Sequence, residues 1–194
     1  MKKGLLIILM ICFSITSCKK IIDSAASLSK DDISAKDLVE ISVNDDYSIS
    51  IPDYMKEMTS LNDDASFQYA NIYKETYTIV IDEDKQEFID AFKEIGIYND
   101  SLSVIENYSD YQVKSFQESL SSDEAKELDF NLKNLTAKQF ELNGIIDGIN
   151  GNYLIGFVES DAKMYMLMSW TVDDRYKKHK NTFQLIQNSF KLKN

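Results

Sequence analysis

Apolar positions along this chain change their period several times, and each change marks a new element. Met1-Lys2-Lys3 is followed by an uninterrupted apolar run over positions 4–13. Over positions 19–36 apolar residues are only scattered among Ser, Ala, Asp and Lys, with no Pro or Gly, so this stretch lacks the area to bury itself. Tyr47, Ile49 and Ile51 then alternate with Ser48 and Ser50 until Pro52. That is a half-buried strand, stopped by a residue that cannot donate to a ladder. Further strands are expected over 67–73 and 76–81, the second with Tyr77, Ile79 and Ile81 on one face.

The period next lengthens to that of a helix. Asp84 with Glu87 has capping-box spacing, Phe88, Ile89, Phe92 and Ile95 form an apolar stripe, and Gly96 follows as a stop. Ser103 and Glu106 repeat the capping signature ahead of Val104, Ile105, Tyr108, Phe116 and Leu120. Strands return over 128–132, 139–149, 153–159 and 163–172, with Asn150-Gly151 expected to make a tight hairpin turn because both residues tolerate positive φ. A closing helix over 173–188 carries Tyr176, His179, Phe183 and Ile186 along one stripe, and a short last strand follows. Strands, two helices, an antiparallel meander and a final helix give an α+β class, a largely antiparallel sheet covered by helices.

The basic start and short apolar run form a signal-peptide pattern, well below the roughly 20 residues a spanning helix needs. After it comes Ile15-Thr16-Ser17-Cys18, which resembles the lipobox of bacterial lipoproteins. The resemblance implies cleavage before Cys18, a diacylglyceryl group on its sulfur and acylation of the new amino terminus. Each buried methylene contributes about 0.8 kcal/mol, so two or three chains anchor stably where one is marginal. The expected organisation is a signal peptide over 1–17, a lipid-anchored tether over 18–36 and one domain over 37–194. In a Gram-negative bacterium, the resemblance to sorted lipoproteins implies that Lys19 beside the anchor, in place of Asp, favours the outer membrane. The membrane, reached through the acyl chains on Cys18, is then a partner, and Cys12 leaves with the signal.

A formal charge of -11 and a pI near 4.6 exclude nucleic acid as a natural partner, since that affinity comes mainly from Lys and Arg. The single His, His179, lies on the apolar stripe of the last helix and reads as a packing residue rather than a catalytic base. The chain contains no Gly-x-Ser-x-Gly, His-Glu-x-x-His or glycine-rich phosphate loop. Met164, Met166, Met168 and Trp170 share a strand face, and Met55 and Met58 form a second thioether pair. Such sulfurs suit Cu(I), but Met beside Trp on alternate strand positions is first a core pattern. The acidic groups Asp45-Asp46, Asp63-Asp64, Asp82-Glu83-Asp84 and Asp173-Asp174 fall at element ends, and two of them precede helices, where a carboxylate is stabilised by about 0.3–1 kcal/mol without any metal. Tyr54, Tyr69, Tyr73, Tyr108 and Tyr111 fall near strand and loop edges and are candidates for lining a groove. Asp23-Ser24-Ala25 and Asp100-Ser101-Leu102 resemble a short bacterial O-glycosylation acceptor motif.

Tyr47-Ser-Ile-Ser-Ile-Pro52, the segment over 61–66, Tyr77-Thr-Ile-Val-Ile81 and the ending with Trp170, Arg175, Ile186 and Ser189-Phe190-Lys191 resemble a family of uncharacterised Gram-negative lipoproteins. More distantly, the Ile-Pro strand end and the Ser-Phe-Lys after the last helix are similar to the PsbP-like fold. That resemblance implies an α/β/α sandwich and a family of mostly protein-binding members, with no catalytic set, cofactor or metal to carry over. The expected function is a non-enzymatic binding or accessory module for a protein or small ligand. Two alternatives stand beside it: a hydrolase or metal-dependent envelope enzyme built on carboxylates such as Asp82, Asp84 or Asp173, and a structural envelope protein without a ligand.

Overall fold

A computed structural model describes residues 33–122, 124–146 and 148–193. The signal segment, Cys18, the tether up to residue 32 and Ser24 lie outside the described residues. A short 3-10 turn at Ala35–Asp37 leads into β1 (Leu38–Val43), β2 (Tyr47–Pro52), β3 (Lys56–Glu57), β4 (Ala65–Asn71) and β5 (Thr76–Asp84). The helices α1 (Lys85–Glu94) and α2 (Val104–Leu120) follow. Next come β6 (Ala125–Leu128), β7 (Thr136–Ile146), β8 (Ile149–Glu159) and β9 (Lys163–Val172), then α3 (Asp173–Asn188) and β10 (Lys191–Leu192). No described helix is long and apolar enough to cross a membrane.

The strands form two sheets, ordered β3-β4-β5-β9-β8-β7-β6 and β1-β2-β10, with every pairing antiparallel. The large sheet is the middle layer. Strand β8 is buried on both faces because its alternation is apolar in both directions: Leu154 and Val158 enter one core, Tyr153, Ile155 and Phe157 the other. Strand β9 does the same, with Tyr165 and Leu167 on one side and Met164 and Met166 on the other. The methionine face therefore packs under α1 and α2, beside Phe88, Ile105 and Tyr108. The opposite face is covered by α3 through Tyr176, Phe183 and Ile186 and by the small sheet through Tyr47, Ile49 and Ile51. This is a mixed α+β sandwich, as the order of elements predicts.

Local signals place the helices. Asp84 accepts the Glu87 N–H at 2.8 Å to cap α1, and Gly96 takes φ +73° just beyond its end. Ser103 and Glu106 form the reciprocal capping box of α2. Ile33 is buried in the α3-side core and its carbonyl accepts from Asn181 Nδ2 at 3.4 Å.

Three strand expectations need correction. The β7–β8 hairpin does not turn at Asn150-Gly151: Gly144 pairs with Gly151 and Ile145 with Asn150 inside the ladder. Ile146 pairs with Ile149, so positions 147 and 148 make the connection, with Gly148 at φ +80°. Asp-Gly suits that two-residue turn as well as Asn-Gly does, and its register keeps Phe140 and Leu142 facing the core. The strand expected over 128–132 is β6 at Ala125–Leu128; Phe130 and Leu132 reach the core from an irregular segment. Strand β1 was not foreseen, although Val39, Ile41 and Val43 alternate with Glu40 and Ser42.

Candidate functional site

The β1–β2 hairpin is closed by two consecutive residues in the left-handed region, Asn44 at φ 46° and Asp45 at φ 54°, types that tolerate it. This turn aims Asp46 across to the large sheet. There its carboxylate meets Lys163 Nζ at 2.8 Å and accepts the Tyr165 hydroxyl at 3.0 Å. Lys163 also donates to Asp82 at 2.7 Å, so one ammonium ties the small sheet to β5 and β9. Beside this clamp the Tyr47 hydroxyl lies 2.8 Å from Ser66 Oγ, and the ring of Tyr47 stacks on Phe190 at 5.1 Å.

Electrostatics hold Lys163, Asp82, Tyr47 and Tyr165 each in one protonation state. The hydrogen bonds that Lys163 donates to Asp46 and Asp82 hold its ammonium above the usual lysine range. Burial pushes Asp82 upward, yet the hydrogen bond and charge of Lys163 outweigh it and the carboxyl lies below its ordinary range. Burial raises the Tyr47 phenol, and burial together with the Asp46 hydrogen bond raises that of Tyr165. These groups stay charged or protonated as they stand, which suits a clamp and opposes proton shuttling.

A groove of about 340 Å3 opens next to the clamp, at the small end of the range of ligand pockets. One wall is the 41–44 end of β1; the other is β4 from Ala65 to Tyr69, with Met58 and Glu57 at the rim. Ile41 and Tyr69 reach its surface among Ser42, Asn44, Ser66 and Gln68, so the lining is mixed; Val43 and Phe67 are buried behind it, and Phe67 and Tyr69 stack at 4.5 Å. At the opposite end of the large sheet a wider hollow of about 530 Å3 is lined by Ser121, Glu124, Asn143, Asn150 and Asp173, and is largely polar.

The other candidates from sequence disperse. Asp82 faces Lys163, Asp84 caps α1, and Asp173 accepts from Asn152 Nδ2 at 2.6 Å at the far end of β9. The three carboxylates of the hydrolase alternative therefore do not meet in one cleft. Among the described residues no three His, Cys, Asp or Glu side chains gather as a metal site requires. Met55 is buried in the α3-side core while Met58 lines the groove. Of the five tyrosines only Tyr69 lines it: Tyr54 and Tyr108 are buried, Tyr108 donating to Glu83, Tyr111 packs on Phe92, and Tyr73 is 79% exposed on a turn. His179 is buried with its ring 6.3 Å from that of Phe183. Ser101 sits in the exposed connection between α1 and α2. The groove itself was missed because it needs β1 and β4 side by side, and nothing local in either segment announces the other.

No family model and no curated protein sequence matches this chain. Among solved structures it is similar to the solution structure of cyanobacterial PsbP, CyanoP, from Synechocystis, with a TM-score of 0.53 at 13% identity over 80% of this chain and 92% of that one. Two further similarities, each with a TM-score of 0.46, are to PA94, a Pseudomonas aeruginosa protein of unknown function, and LpqN, involved in cell envelope biogenesis of Mycobacterium tuberculosis. Identity is 11% and 10%, covering 78% and 81% of this chain and 94% and 91% of theirs. The described domain has the PsbP-like fold.

Proposed function

We propose that this protein is a lipid-anchored binding module of the bacterial envelope that holds a partner in the groove between β1 and β4. The observation that carries the reading is the groove itself: Ile41 and Tyr69 set among polar side chains, beside a charge network in which one ammonium ties two carboxylates together. Such a network fixes the shape of a site without supplying an acid, base or nucleophile. The anchor rests on Ile15-Thr16-Ser17-Cys18, and Lys19 directs it to the outer membrane. Acyl chains at Cys18 hold the domain near the surface and raise its effective concentration for membrane-associated partners.

The test has two readouts. Mass spectrometry of the N-terminal peptide is expected to show an acylated Cys18, absent in Cys18→Ser. Affinity capture from mild detergent is expected to retain a partner that Cys18→Ser retains at lower yield and Tyr69→Lys loses. An unmodified Cys18 overturns the anchor. Turnover of an envelope substrate, abolished by one substitution, overturns the binding module.

A further inference from the structure

Strand β1 is an edge. Among the described residues it pairs with β2 alone, and none of their strands lies on the side facing the groove. The direction of its free backbone groups follows from β2. The Ser50 N–H leaves β2 toward Ser189 Oγ at 2.7 Å, and Ser48 faces Lys191 of β10, so both point away from β1. Backbone groups alternate sides along a strand. Glu40 and Ser42, opposite Ser50 and Ser48, therefore direct their N–H and C=O into the open side. The inner surface is unfinished too: Val43 is buried, but Ile41 is only half-buried and Val39 is 48% exposed. Across the groove β3 protects β4 only as far as the Met58 N–H to Gln68 carbonyl bond at 2.9 Å, leaving Ala65 to Phe67 as the facing wall.

Resting on the binding-module reading, we propose that the groove takes an extended segment of a partner protein that adds as a strand to β1, with alternate apolar residues turned inward and Lys or Arg beside them. Backbone bonds to Glu40 and Ser42 supply affinity, and inward side chains complete the cover over Val39, Ile41 and Tyr69. Charge selects the sign of the segment. Glu57 stands on the rim, and its charge adds to burial in raising the Tyr69 phenol. Asp63 and Asp64 precede the β4 wall, exposed and with no ion pair among the described residues. The whole chain carries -11. A second copy is disfavoured on the same ground, since it carries the same net negative charge and the same acidic rim. Edge strands are ordinarily blunted by Pro, bulges or lysines, and β1 has none of these.

The test selects from a phage-displayed random peptide library on the full-length acylated protein in mild detergent. Enriched peptides are expected to alternate apolar residues and carry Lys or Arg, and their affinity to fall as salt rises. Binding is expected to slow amide exchange at Glu40 and Ser42. Ser42→Pro, which removes an outward N–H that the fold does not use, is expected to weaken it about tenfold. The exchange readout uses the unaltered chain and so does not depend on the folding of Ser42→Pro. No enrichment, or equal binding by Ser42→Pro folded with an unchanged Tm, overturns the proposal. Enrichment with protection elsewhere overturns the β1 assignment while leaving the binding-module reading intact, whereas a small molecule that displaces the captured partner without protecting Glu40 and Ser42 replaces the strand with a compact ligand.

Discussion

The layer over the methionine face comes from one stretch of chain, residues 85–120, whereas the layer over the opposite face is gathered from both ends, residues 33–52 and 173–193. In the first, each helix is started by its own cap and held by its own stripe, Phe88 and Phe92 on α1 meeting Tyr108 and Tyr111 on α2. In the second, few contacts are local. Ser189 meets Ser50 from 139 residues away, Lys163 reaches Asp46, and Gln187 of α3 sends its amide under the sheet. That Gln187 is fully buried: Nε2 donates to the Leu154 and Leu167 carbonyls at 2.8 and 3.1 Å, and Oε1 accepts from Gln139 at 2.8 Å. The local layer leaves only a polar hollow past the end of α2, while the layer assembled from distant parts meets β4 along a seam, and the groove is that seam.

Four measurements bear on this contrast, the largest effect first. Phe183→Ala removes a fully buried ring where α3 meets the small sheet, and is expected to cost about 3–5 kcal/mol in urea unfolding. Its amide exchange is expected to speed at Ile49 more than at Val113, because the ends-built layer depends on α3 and the helical layer does not. Uniform acceleration in both would show that the layers are one cooperative unit.

Gly156→Ala comes next. A Cβ there would sit 2.7 Å from Gln187 Oε1 and 3.2 Å from a Phe130 ring carbon, an overpacking expected to cost about 1–3 kcal/mol. In a Gln187→Ala background the same substitution is expected to cost less, and the double-mutant cycle measures the difference. Equal costs in both backgrounds would remove Gln187 as the reason for the glycine.

Ser103→Ala tests the local layer. Losing the α2 cap is expected to cost about 1 kcal/mol and to leave exchange at Ile49 unchanged. Acceleration at Ile49 would couple the layers after all.

Lys163→Met addresses the clamp. Its charge-assisted bonds are partly exposed and screened, so the expected loss at neutral pH is about 1 kcal/mol. The pH dependence carries more information. Asp82 has a lowered pKa in the folded state, so its contribution is complete above the ordinary carboxylate range and disappears as pH falls through the folded value. Lys163 has a raised one, so its contribution is complete below the ordinary lysine range and disappears as pH rises through the folded value. The advantage of the unaltered protein is therefore expected to be flat between about pH 5 and pH 9 and to shrink on both sides. Urea unfolding across that range measures it; a peak near neutrality would place the titrating groups elsewhere.

The same contrast governs what the sequence discloses. The Asp84 and Ser103 caps, the α1 and α2 stripes and the double alternation of β8 and β9 are legible because each is a local pattern with a local cause. The turn was misplaced because Asp147-Gly148 and Asn150-Gly151 both suit it, and only pairing with Leu142 and Gly144 chooses the register. Gly156 and Gln187 carry no signal apart from each other. Neither do Asp46 and Lys163, whose ordinary surface types give no sign of being joined.

Strand β10 pairs with Ser48 and Tyr47 of β2, and the Lys193 N–H reaches the Asp46 carbonyl at 2.9 Å. During synthesis β2 therefore emerges early and waits for almost the last residues of the chain before its sheet is complete. Premature release of the polypeptide leaves β2 paired with β1 on one side and open on the other. A reporter or purification tag placed beside Lys193 would crowd that final stitch and is best carried away from it.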